Sequence, residues 1–232
     1  MAEEPAAAEA PAEPARSPLW SRVVIFAAAG LALLLIGGTV GMLLSPADDG
    51  TERPPGGGSV AVGFAQDMSR HHIQAVTMAN WAQGHSTDPA IQQLAFDIAS
   101  TQLEQVGRMR GWLMLWNQPE NVVGEPMAWM NMKGMDHSSG GGKEGPPMPG
   151  MATPEELQRL RTLSGKELDV YFLQLMLRHH KGGVAMAKYA KQHSDVQAVV
   201  TLADSMLASQ GAEMDLMKRM LAARKATPLP YP

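Results

Sequence analysis

Two Arg-His-His steps, Arg70-His71-His72 and Arg178-His179-His180, hold four of the seven histidines in the chain. Each step closes a Met-x-x-His-His motif opened by Met68 or Met176, and each is followed by a Met-Ala pair, Met78-Ala79 or Met186-Ala187. A constant offset of 108 residues, from His71 to His179, also aligns Phe64 with Phe172, Gln66 with Gln174, Val76 with Val184 and His85 with His193. Imidazole nitrogen and thioether sulfur are borderline and soft ligands. The chain has 18 methionines and no cysteine. Without thiolates, a His/Met set suits copper, above all Cu(I), better than calcium, magnesium or manganese. The missing cysteine also removes disulfides and a catalytic thiol.

These residues need elements to position them, and the spacing supplies long helices. At 100° per residue, Phe64, Met68, His71, Ala75, Met78, Ala82 and His85 fall on one bundle seam, as do Phe172, Met176, His179, Gly183, Met186, Ala190 and His193. The pattern predicts helices over about 60–84, from Pro89 to near Pro119, over about 166–192 and over about 195–224. Asp88 and Pro89 start the second of these, and Thr153-Pro154-Glu155-Glu156 is a capping box opening a short helix to about Leu163. Ser164 with Glu167 reads as another box. Short turns at 85–89 and 193–195 make two antiparallel hairpins, so the expected fold is all-α, a four-helix bundle built of two repeated hairpins over residues 60–225, followed by a tail at 226–232.

The returning helices carry Gln102, Gln105 and Met109 on one seam, and Gln210, Glu213 and Met217 on the other. Counted from each turn, His71 lies level with Gln102 and Gln105, and His179 with Gln210 and Glu213. A polar band therefore crosses an apolar bundle. Buried polar groups must satisfy one another or bind something. One interpretation is a hydrogen-bonded layer that fixes register, in a metal-free interaction or structural module. The other is a metal site, favoured by duplication of the whole set. A metal-dependent redox enzyme is a third possibility, but no Glu stands three residues before a His, as a di-iron bundle would want. The helical angle puts His71 and His179 in the seam, held by Gln102, Gln210 and Glu213, and puts His72 and His180 at its edge, nearer to solvent.

Residues 118–152 lack periodicity and are dense in Gly, Pro and Met. Met130, Met132, Met135 and His137 along this loop form a second candidate site for Cu(I) or its mimic Ag(I). The N-terminus is organised differently. Residues 1–22 are mostly Ala, Pro and Glu, the composition of a disordered tail. Val23 to Leu44 is uncharged over 22 residues, about 33 Å as a helix, enough to span a bilayer. Arg16 and Arg22 precede it and acidic residues follow, so the positive-inside rule puts the tail in the cytoplasm and the rest outside. Residues 45–59 form a Pro/Gly-rich linker. A cleaved signal is the competing interpretation, although the apolar stretch is long for one. A net charge of −4 without a basic stripe argues against a nucleic-acid partner, and no nucleophile-elbow or phosphate-loop motif is present.

The strings VGFAQDMSRHHIQAVTMA at 62–79 and SGKELDVYFLQLMLRHHKGGVAMAKYA at 164–190 resemble domain-of-unknown-function family 305, which includes CopM-type periplasmic copper-binding proteins. The resemblance implies a ferritin-like bundle and an exported, copper-handling protein. It implies ligands among Met68, His71, His72, Met78, Met176, His179, His180 and Met186, with Gln102, Met109, Gln210, Glu213 and Met217 on the returning helices. Gln105 stands where the second copy has Glu213, so the halves are not expected to bind equally. The expected role is buffering, tolerance or delivery of copper by a single-pass membrane protein without covalent catalysis. Expected partners are the membrane, the metal and either a second copy or a copper-handling protein.

Overall fold

The computed structural model describes residues 19–44, 54–130 and 148–231. It divides into two compact units, Met1–Glu52 and Arg53–Pro232. In the first, α1 runs Leu19–Leu44, and its Val23–Gly41 window has a mean hydropathy of 2.5. The helix is long and apolar enough to cross a membrane, a property shared by anchors and by N-terminal signal sequences. Thr39 returns its hydroxyl to the Leu35 carbonyl at 2.7 Å, so that polar group is satisfied within the helix. Of the expected tail at 1–22, residues 1–18 lie outside the described residues, as does most of the linker, while residues 19–22 belong to α1.

Among its described residues the regular elements of the second unit are all helices: α2 Val60–His85, α3 Pro89–Leu115, α4 Pro154–Thr162, α5 Gly165–His193 and α6 Gln197–Ala223. Local chemistry sets most of the starts. Ser59 accepts from the Val62 amide at 3.3 Å. Asp88 accepts from the Ala90 amide at 2.9 Å, with Pro89 in the first turn of α3. The Thr153/Glu156 capping box forms in both directions. The Ser164/Glu167 box does not: Ser164 makes no side-chain cap, and Gly165, at φ +52°, carries the turn instead. Three-residue turns, 86–88 and 194–196, fold α2 onto α3 and α5 onto α6, and the hairpins meet through α2 and α5.

Antiparallel meeting of α2 and α5 sorts the core into two apolar clusters. One joins Ala75, Met78 and Ala82 to Phe172, Met176, Met217 and Leu221. The other joins Phe64, Met68 and Met109 to Met186, Ala190 and Met206, with Met127, Met130, Met148 and Met151 from the connecting segment. Both histidine pairs lie between the clusters along α2 and α5.

Candidate metal centre

The polar band is buried. His72 and His180 are 0% exposed, His71 and His179 1%. His71 and His179 stack across the hairpin boundary, ring centroids 3.7 Å apart and tilted by 35°. His72 Nε2 donates to Gln105 Oε1 at 2.7 Å, and His180 Nε2 donates to Glu213 Oε2 at 2.6 Å. Both acceptors fix the proton on Nε2 and leave the Nδ1 lone pair free. Each His-His step thus splits by one helical angle: the first histidine faces the other hairpin, the second faces its own returning helix.

This corrects two sequence expectations. The edge histidines do not approach solvent, and Glu213 holds His180 rather than the inner His179. A helical wheel counts one packed face, whereas α2 and α5 each pack on two long helices, so a side chain 100° from the seam is still inside. His85 and His193, assigned to the same seams, come out exposed at the helix ends. Each donates Nδ1–H to a carbonyl one turn back, Trp81 or Tyr189, at 2.9 Å, and stacks on that residue's ring.

Burial keeps three of the band's histidines uncharged. It pushes His71 down to about 3, aided by the neighbouring His72 and opposed by a 3.4 Å hydrogen bond to the Pro149 carbonyl. It pushes His72 down to about 4 against the pull of Gln105, and holds His179 well below its ordinary value, aided by His71. Neutral imidazole is the form that ligates metal. Seven atoms of the band lack partners: His71 Nδ1, His72 Nδ1, His179 Nε2, His180 Nδ1, both amide atoms of Gln102, and Gln210 Oε1. Each such atom costs on the order of 1–3 kcal/mol if nothing satisfies it. Gly183 leaves room beside them, since a Cβ there would lie 2.9 Å from Gln210 Oε1 and 3.3 Å from His71 Cε1. Met68, Met109 and Met186 on one side, and Met78, Met176 and Met217 on the other, are at most 1% exposed or sealed within the flanking clusters. The donor set, neutral nitrogens bordered by thioethers, fits a soft monovalent ion. Among the described residues no three His, Asp or Glu side chains converge as a hard-metal cage would require.

The described parts of the connecting segment form a cover. Asp67 Oδ2 accepts from the Met127 amide and from Trp129 Nε1, both at 2.8 Å. Trp129 packs edge-on against Phe64 and Tyr189, over Gly63, where a Cβ would overlap its ring. Further on, Gln74 makes two hydrogen bonds to the Ala152 backbone, at 2.7 and 2.9 Å, and Gly182 lets the Pro149 carbonyl reach α5. Met130 is buried in this cover at 3% exposure. Met132, Met135 and His137 lie outside the described residues. Sequence reasoning missed Asp67, Gln74 and Gly182, although each breaks the repeat, standing opposite Leu175, Gly182 and Gln74.

No curated protein matches the sequence. Among solved structures, a DUF305 protein of Streptomyces coelicolor is 42% identical, covering 76% of this chain and 100% of its own, with a TM-score of 0.68. A DUF305 fragment from Deinococcus radiodurans is 29% identical over 71% of this chain and 96% of its own, with a TM-score of 0.57. CopM in its Cu(II)-bound form is 26% identical over 71% and 97%, with a TM-score of 0.53. The DUF305 domain of unknown function matches residues 61–221, nearly the whole span from α2 to α6, and the chain belongs to that family.

Proposed function

We propose that this protein is a membrane-anchored, extracytoplasmic copper-binding protein that buffers or delivers Cu(I) as cargo, with the buried band as its site. The observation that carries this is the set of partnerless ring nitrogens on four buried histidines, flanked by duplicated methionines. A purely structural layer would pair those atoms with one another. His72 and His180 would offer Nδ1, His71 and His179 their remaining nitrogens, and Met68, Met78, Met109, Met176, Met186 and Met217 their sulfurs. Met130, Met132, Met135 and His137 form a secondary set on the connecting segment. Family relationship to CopM, solved with copper bound, supports the assignment. In this proposal α1 is the uncleaved anchor, and the intact mass of the membrane-fraction protein distinguishes it from a cleaved signal.

The test is Cu(I) titration of the purified chain against a competing chelator. Tight binding should weaken at least tenfold in the His71→Ala/His179→Ala variant and in His180→Ala. Binding no tighter than that of a variant lacking all four band histidines would contradict the proposal.

A further inference from the structure

We infer that the two hairpins are unequal copper sites: the second, around His180, holds the ion, and Glu213 is the positioning residue that makes it so without being a ligand itself. The inference rests on the copper assignment above. His72 and His180 are offset partners with the same geometry. Each is fully buried, each donates Nε2–H across its own hairpin at 2.6–2.7 Å, and each presents a partnerless Nδ1. Each also has a methionine one turn back on its own helix, Met68 or Met176. The acceptor has another one turn on, Met109 or Met217, so the thioether supply is matched. The acceptor itself differs: a neutral amide at Gln105, a carboxylate at Glu213.

Charge decides between the two. Cu(I) on neutral imidazole and thioether ligands carries one positive charge into a buried site, and an uncompensated charge there is strongly disfavoured. Glu213 cancels it through the His180 ring, the carboxylate–histidine–metal arrangement that orients a ligand and raises its basicity. Gln105 cannot. The other buried carboxylate on α2, Asp67, lies about 140° round the helix from His72 and is engaged by Met127 and Trp129. The positive charge beside the second site, Arg178, is neutralised by Glu156. The Glu213 side chain is also 19% exposed, whereas Gln105 is 4% exposed, so the carboxylate links the buried ring to solvent on the side from which a cation would arrive.

The experiment is Cu(I) titration of the full chain in detergent, with a competing chelator and with 15N NMR of the histidine rings to assign occupancy. Four chains are compared: wild type, Glu213→Gln, Gln105→Glu and the double swap. In the wild type, His180 Nδ1 should shift at the first equivalent and His72 Nδ1 should not. Glu213→Gln keeps the hydrogen bond and the tautomer, so the apo melting temperature should hold while affinity falls roughly tenfold to a hundredfold; Glu213→Asp should restore part of it. Gln105→Glu should add a second tight equivalent at His72, a gain that misfolding cannot mimic. The double swap should move occupancy to His72. Equal occupancy of His72 and His180 in the wild type, or unchanged affinity in Glu213→Gln, overturns the inference and leaves the copper assignment standing. A wild type in which neither ring responds to copper overturns both.

Discussion

The first and second hairpins start from one plan and diverge at a few positions that decide what each does. On α2, Asp67 and Gly63 replace the bulk of Leu175 and Tyr171 on α5, and those two exchanges seat Trp129 and the Met127 turn. On α5, Arg178 is drawn in to Glu156 at the start of α4 and to the Met151 carbonyl, while its partner Arg70 is exposed. Gln74 holds the returning strap by its side chain, and Gly182 holds it by having none. The first hairpin has given its face to covering the band, and the second has kept a carboxylate and a route to solvent. What stays constant between them is the His-His step and its methionines. What varies is how each half is closed.

The largest expected effect draws on both hairpins. His71, His72 and His179 are held neutral when folded and take up protons near 6.5 when unfolded. The unfolded chain therefore binds more protons below that pH, and apo stability falls as pH drops from 6.5 towards about 4. Asp67, raised by burial, opposes this at the acid end. Urea melts between pH 7.5 and 4.5 should show a slope approaching three protons, reduced by one in His72→Gln. A flat profile would mean that the band is charged or hydrated. Next, Gly182→Ala drives a Cβ into the Pro149 carbonyl and should cost about 3 kcal/mol, measured by denaturant melts, whereas Gln74→Ala, which frees the same strap from the other helix, should cost about 2 kcal/mol.

Two smaller contrasts sharpen the comparison. Arg178→Met breaks a largely buried pair and should cost about 2 kcal/mol, while Arg70→Met should stay below about 0.5 kcal/mol; equal effects would remove the asymmetry of the two arginines. Asp67→Leu, which makes the first hairpin resemble the second, should cost about 1–2 kcal/mol and open the chain around Met127 and Trp129 to limited proteolysis. Protection unchanged from the wild type would show that the carboxylate does not hold the cover.

Much of this architecture was legible because the repeat is written in apolar spacing. The 108-residue offset and the caps at Asp88 and Thr153 locate the helices to within a residue or two, except that α3 stops at Leu115 rather than near Pro119, and the level of Gln102 and Gln105 with His71 follows from counting. The edge histidines were misplaced because a helical wheel knows one neighbour, whereas α2 and α5 have several. The cover was invisible for a different reason. Its anchors are single side chains meeting backbone far away in sequence, Asp67 with Met127 and Gln74 with Ala152, and no periodicity marks such pairs. The one available signal was departure from the repeat, which also singled out Gln105 against Glu213.

Anomalous diffraction at the copper edge, from crystals of the Cu(I)-loaded protein, tests most directly whether the band is the site. The strongest peak is expected within bonding distance of His180 Nδ1, between α5 and α6, with weaker or no density at His72. A strongest peak on the exposed His85 or His193, with nothing in the bundle, would contradict it.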